Sequence, residues 1–185
     1  EGRKGNFSLL QEQQELWGYR LLEIPKHLLD EVSVSSTKIR SALLNGDVAT
    51  ANRLLGAPFS FRGLVVQGDQ IGRTLGFPTA NLVYEDEDKI HLGEGVYAVS
   101  VMLNGERKGA MLSIGKRPTL NDVIERVEVN IFDFDGNLYG TRLVVSVHSF
   151  IRGQEKYHSL EALKEQIQKD KERALELLLP SFESS

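Results

Sequence analysis

Three glycines spaced four apart, Gly68, Gly72 and Gly76, fall within one stretch, Gly68-Asp69-Gln70-Ile71-Gly72-Arg73-Thr74-Leu75-Gly76-Phe77-Pro78-Thr79-Ala80-Asn81. A helix interior does not carry so many, because each glycine there costs about 1 kcal/mol relative to alanine. The run Phe61 to Val66 just before it is apolar and β-branched, so the stretch reads as a loop leaving a strand. Glycines let a backbone approach a ligand closely and turn its N–H groups toward an anion. Thr79 and Asn81 flank Ala80, and in an extended segment their side chains point the same way. A hydroxyl and an amide oxygen are hard oxygen ligands, suited to Mg²⁺ or to phosphate. A glycine-rich surface turn, whose Thr and Asn serve only local backbone groups, accounts for the same residues. Residue types alone leave both readings open.

A length of 185 residues holds one domain and part of another. The formal net charge of −4 argues against a binder of phosphate backbones, since such domains are usually strongly basic. With no cysteine there is neither a disulfide framework nor a thiolate ligand or nucleophile. No apolar run approaches the roughly 20 residues of a membrane span, and no signal peptide opens the chain, so a cytoplasmic protein without membrane contact is expected.

Residues 5–56 read as helices punctuated by caps. Ser8 can cap a short helix stopped by Gly18, and Tyr19 to Ile24 is a plausible strand. Ser36 can cap a helix closed by Gly46, and Asp47 one closed by Gly56, because a side-chain oxygen serves free N–H groups and glycine accepts positive φ. Ser35-Ser36-Thr37-Lys38-Ile39-Arg40 puts hydroxyls and two cations at a helix start, which suits an anion but equally describes an ordinary capped helix.

From Phe59 the period changes to two. Residues 59–67, 96–103, 108–114, 127–134 and 143–150 are strand candidates. Asn104-Gly105 signals a type I′ hairpin and Asp135-Gly136-Asn137 a second reversal. Closely spaced short strands point to an antiparallel barrel or sandwich. Last comes a helix capped by Ser159, with Leu160, Leu163, Ile167, Ala174 and Leu178 on one apolar stripe, ended by Pro180.

Phosphoryl transfer needs a positioned nucleophile, a metal that neutralises phosphate charge, and a base for the hydroxyl proton. The glycine loop can supply the cradle and the metal ligands. Glu128, between Val127 and Val129 on a probable strand, could supply the base, since a carboxylate projecting into a cleft has a tunable pKa. Alternation alone would also place Glu128 on a solvated face. The four histidines are scattered without ligand spacing.

The glycine stretch resembles the riboflavin kinase signature Gly-x-x-x-Gly-Arg-x-x-Gly-x-Pro-Thr-Ala-Asn at every fixed position. Residues 127–140 resemble that family's Val-Glu-x-His-x-x-Asp-Phe-x-x-Asp-Leu-Tyr-Gly, with Asn130 for the usual His and Asn137 for the usual acid. Ile114-Gly115-Lys116-Arg117-Pro118-Thr119 is similar to its Gly-x-Arg-Pro-Thr loop at the active-site rim. Residues 150–157 are similar to its Phe-x-Arg-x-Glu-x-Lys-Phe near the flavin, with Gln154 in the glutamate's place, Glu155 one later, and Tyr157 for Phe. Arg3-Lys4-Gly5-Asn6 and Ser35 to Arg40 resemble the adenylyltransferase half of bacterial bifunctional FAD synthetases.

The resemblance implies a mainly β fold: a six-stranded antiparallel Greek-key barrel with a C-terminal helix over residues 58–185. Residues 1–57 would be the C-terminal part of an α/β, Rossmann-like nucleotidyltransferase module. It implies transfer of the ATP γ-phosphate to riboflavin, giving FMN and ADP. Glu128 would be the base, Thr79 and Asn81 would hold Mg²⁺ and phosphates, and Gly68, Gly72, Arg73 and Gly76 would surround the nucleotide. Phe134, Arg152 and Tyr157 are the candidate flavin contacts. No histidine lies in the His-x-Gly-His-type motif that adenylyl transfer needs, so that activity is expected only of a longer protein. Two other classes compete. One is a non-catalytic barrel that binds a protein or nucleic acid, the latter disfavoured by the acidic charge. The other is a flavin sensor that keeps the pocket without the chemistry, for which Asn130 and Gln154 speak.

Overall fold

A computed structural model describes residues 36–68, 76–86, 88–118 and 123–183. The helix expected after Ser8, the strand over Tyr19 to Ile24, and loop residues Gly72 and Arg73 lie outside them. Residues 35–185 form one compact unit.

Two short helices lead into the barrel. α1 spans Ser36–Leu44 and α2 spans Val48–Leu55. Asp47 is the N-cap of α2, its carboxylate accepting from the Thr50 N–H at 3.1 Å, and Gly56 ends it at φ 72°. Leu43, Val48 and Ala51 enter the same core as the barrel interior. Asn52 adds a polar stitch: its Nδ2 donates to the Val147 carbonyl at 2.9 Å, and its Oδ1 accepts from the Phe59 N–H at 2.8 Å.

Six strands follow: β1 Phe59–Val66, β2 Ala80–Tyr84, β3 Gly95–Leu103, β4 Glu106–Pro118, β5 Val123–Ile131 and β6 Arg142–Arg152. They pair antiparallel in the order β1-β2-β5-β4-β3-β6 and close into a barrel, as expected. Inward positions alternate with outward ones, so Leu143, Val145 and Val147 of β6 are fully buried, as are Val99 of β3 and Leu112 of β4. The β3–β4 hairpin turns at Asn104 (φ 52°) and Gly105 (φ 84°), the two left-handed residues a type I′ turn requires.

Three sequence expectations need correction. Strand β2 was missing from the periodic candidates, because five residues directly after a glycine loop are too few to show a period. The strand expected over 127–134 stops at Ile131, where Phe132 and Asp133 turn the chain, with Asp133 at φ 52°. Pro180 does not end the last helix.

That helix, α3, runs Leu160–Glu183 with Pro180 inside it. In the final turn a proline forfeits one i→i−4 bond near an end that already frays, so the helix continues past it. Ser159 Oγ accepts from the Ala162 N–H at 3.1 Å, as an N-cap should. Ala174 and Leu178 are buried against Ala98, Met111 and Phe132 on the outside of the barrel, with Ile167 packed beside them. Leu160 is 61% exposed and does not belong to the packing stripe.

Two polar clasps hold α3 in place. Arg152, near the end of β6, donates from Nε to Asp170 Oδ1 at 2.9 Å and from Nη2 to Oδ2 at 2.6 Å. Gln166 Nε2 also donates to Asp170, which is 3% exposed. In the last turn, Arg107 donates to the Ser181 carbonyl at 2.8 Å and lies over the Phe182 ring. Arg107 also donates to Ser100 Oγ, which lies 2.9 Å from His148 Nε2. Burial, and then the Arg107 charge, push the His148 pKa down from 6.5 to about 4.

Asp170→Ala should lower unfolding free energy by about 3–4 kcal/mol in urea titrations, because it leaves the Arg152 cation largely buried without its carboxylate. His148 folds neutral, whereas the unfolded chain takes up its proton near pH 6.5. Its contribution is therefore complete above pH 6.5 and is lost as pH falls toward about 4. The stability difference between wild type and His148→Gln, followed by urea midpoint, should change sign or shrink across that window and stay flat above it.

Candidate active site

β5 carries the candidate base, and register decides what surrounds it. Val127 and Val129 face the core, so Glu128 faces outward. Its Cα partners are Asn81 on β2 and Ser113 on β4, while Asn81 is itself paired with Val66 on β1. Directly opposed residues share a face, with Cβ atoms about 4.5–5.5 Å apart. Asn81, Glu128 and Ser113 therefore form one outward row across three strands.

A shallow cleft of about 190 Å³ opens at the Glu128 and Ser113 end of this row, lined by these two with Gly115, Lys116, Arg126 and Gln154; Asn81 does not line it. Arg126 Nη1 lies 3.8 Å from Glu128 Oε1 along the same strand, and Lys116 Nζ lies 3.2 Å from Glu94. Gln154 donates to Ser113 Oγ at 3.0 Å and to the Ile114 carbonyl at 2.8 Å. The Gln154 departure thus fastens the segment after β6 to β4 at the edge of the cleft.

The backbone at Gly68, two residues after the end of β1, lies against the Asn81 amide. A Cβ on Gly68 would lie 1.8 Å from Asn81 Nδ2 and 2.3 Å from its Cγ, so only glycine permits the backbone to lie on this amide. Gly76 takes φ 83° with open space around it, a conformational need and not a steric one. Thr79 lies just before β2 and lines a cavity of about 260 Å³ at the barrel mouth, with Val65, Ala80, Val129, Phe134 and Tyr139. In that rim Asn137 Oδ1 accepts from the Tyr139 N–H at 3.0 Å, which an aspartate there would also do. Phe134 lines both this cavity and the adjoining groove of about 520 Å³ formed by Gly76, Phe77, Pro78, Asn130, Asp133 and Lys171, among others.

The other two flavin candidates lie elsewhere. Arg152 is engaged by Asp170, and Tyr157 donates to Glu155 at 3.0 Å with its ring 5.8 Å from the Arg152 guanidinium. Neither lines the mouth cavity or the groove. Arg126 and Ser113 escaped the sequence reading. The two-residue period could have found Arg126, which shares a face with Glu128; Ser113 needed the strand register.

The chain belongs to the riboflavin kinase family. The family model for flavokinase, riboflavin kinase, matches residues 55–178. A bifunctional riboflavin kinase/FMN adenylyltransferase of Haemophilus influenzae is 41% identical over 173 residues, which cover 93% of this chain and 56% of that protein. The protein of the same name from Bacillus subtilis is 43% identical over 145 residues, covering 77% of the chain and 46% of that protein. The chain therefore spans about half the length of these curated relatives. A solved Streptococcus pneumoniae structure described as a macrolide-efflux protein is 44% identical, with a TM-score of 0.71 over 75% of this chain and 45% of that one. Among the described residues, no helix is long and apolar enough to cross a membrane.

Among the described residues no group of three or more His, Asp and Glu side chains could hold a metal ion. Thr79 and Asn81 carry neutral side-chain oxygens, a donor type that a hard cation accepts alongside phosphate oxygens. Gly68→Ala should displace the Asn81 amide. Its side-chain NH₂ resonances should move in ¹H–¹⁵N spectra while signals from β3 and β6 stay in place.

Proposed function

We propose that this chain is a riboflavin kinase that transfers the γ-phosphoryl group of ATP to the 5′-hydroxyl of riboflavin, with Glu128 as general base. The observation that carries the reading is the Asn81–Glu128 register, which makes a candidate metal ligand and the candidate base direct neighbours on one face. Glu128 takes the proton of the 5′-hydroxyl, the oxygen bonds to the γ-phosphorus, and the bond from that phosphorus to the β,γ-bridging oxygen breaks, releasing ADP. Mg²⁺, held by Thr79 and Asn81, would neutralise charge on the phosphates. Gly68, Gly72, Arg73 and Gly76 would surround the nucleotide, the glycines through backbone N–H groups and Arg73 through its charge.

The lining around Phe134 mixes apolar and aromatic side chains, which suit a flat ring, with polar groups that could orient it, and Phe134 is the candidate flavin contact best supported by its place at two adjoining cavities. Arg152 and Tyr157 border the flavin only if it reaches beyond them. Residues 1–57 are assigned to the module that adenylylates FMN in the longer relatives, and the protein is assigned to the cytoplasm.

The assay is FMN formation from riboflavin and ATP with Mg²⁺, followed by chromatography. FMN that disappears with EDTA, without FAD, is the expected result; riboflavin binding without product would point to a sensor instead. Glu128→Ala should lower turnover by about 10²-fold or more, the usual size of a general-base contribution, while ATP affinity stays within a few-fold. Turnover within a few-fold of wild type would exclude Glu128 as the base.

A further inference from the structure

Asn130 is among the few buried polar side chains of the described residues, at 6% exposure. Its Nδ2 donates to the Pro78 carbonyl at 2.7 Å. It stands two residues after Glu128 on β5 and so faces outward like the candidate base, while Pro78 immediately precedes Thr79. The neighbouring Phe77 packs on the apolar cluster beneath α3. Two consecutive loop residues are thus held by different forces. The apolar contact is non-directional and fixes where Phe77 lies. The hydrogen bond is directional, and the carbonyl it holds is coplanar with the Thr79 N–H in one peptide unit. Fixing that carbonyl fixes the plane from which Thr79 departs.

We propose that Asn130 is a positioning residue that, through the Pro78–Thr79 peptide, sets the Thr79 hydroxyl relative to Glu128. The proposal rests on the reading of Thr79 and Glu128 given above. Base and loop then share one rigid support, strand β5, and the family's usual His is replaced here by a side chain that also offers an N–H donor.

The test compares wild type with Asn130→Leu, similar in size but without a donor, and Asn130→His, which regains one. Three quantities are read: hydrogen exchange of the Thr79, Ala80 and Asn81 amides in the ligand-free protein, MgADP affinity by calorimetry, and KM for ATP separately from kcat. In Asn130→Leu, exchange at 79–81 should rise and MgADP affinity should fall, each by about tenfold, the scale of one lost buried hydrogen bond. β3 and β6 should keep their protection, and Asn130→His should restore both quantities to within a few-fold. Unchanged exchange at 79–81 would overturn the proposal. So would a rise of equal size in every strand, which would mark a general packing role. Should Asn130→Leu not fold, Asn130→Ser, polar but too short to reach Pro78, carries the same comparison. A wild-type protein that binds no MgADP would sink the nucleotide reading, while exchange would still report whether Asn130 holds the loop.

Discussion

β1 meets β6 over the pairs from Phe59–Val147 to Leu64–Arg142, and that seam converts a twisted sheet into a closed barrel. Everything else depends on the closure. In a closed barrel every strand residue faces either the core or the outside, and no free edge remains to blur the division. The inside is filled mainly by aliphatic side chains, with Phe59, Phe61 and the buried faces of α1 and α2 completing the core. All candidate chemistry is consequently carried on the outside or at the mouth, where polar groups need not be buried.

The outer surface is divided in turn by α3. The row of Ala98 and Met111 is covered by Ala174 and Leu178, whereas in the neighbouring row Glu128 and Ser113 line an open cleft and Asn81 lies against the Gly68 backbone. The division is supported by polar contacts at the middle and the C-terminal end of the helix. Arg152 holds Asp170 at mid-helix with a bidentate pair in a mostly buried setting, and Arg107 grips the carbonyl of Ser181 in the last turn. Because removing one partner of such a pair is far more damaging than the pair is stabilising, these contacts act mainly to specify where the helix lies. Arg152, a flavin candidate by resemblance, has this role in the structure described.

The sequence was most legible where a local rule acts alone. Asp47 and Gly56 bound α2, Ser159 starts α3, and Asn104-Gly105 turns the β3–β4 hairpin, each through backbone chemistry that needs no distant partner. Legibility failed where the answer lies across the barrel. β2 is too short to announce itself, and Pro180 looks like a stop although the last helical turn tolerates it. Glu128 was ambiguous because Val-Glu-Val alternation fits both a solvated face and a site. Its neighbours Asn81 and Ser113 come from other strands, so the row that the three form is visible only in the register. Asn130 and Gln154 read as departures from a family pattern, and their hydrogen bonds to Pro78 and Ser113 are long-range facts that no single stretch contains.

Glu128 and Asn130 have the same parity on β5, and their partners on β2 and β4 are fixed by the same ladder. A slip of one residue in that strand would turn both side chains into the core together and bring Val127, Val129 and Ile131 out, since strand side chains alternate strictly. Glu128 and Asn130, which holds the Pro78 carbonyl, are therefore misplaced together or not at all by such a slip. A refolded preparation would then divide into two kinds of molecule, native and slipped, that differ at both side chains at once.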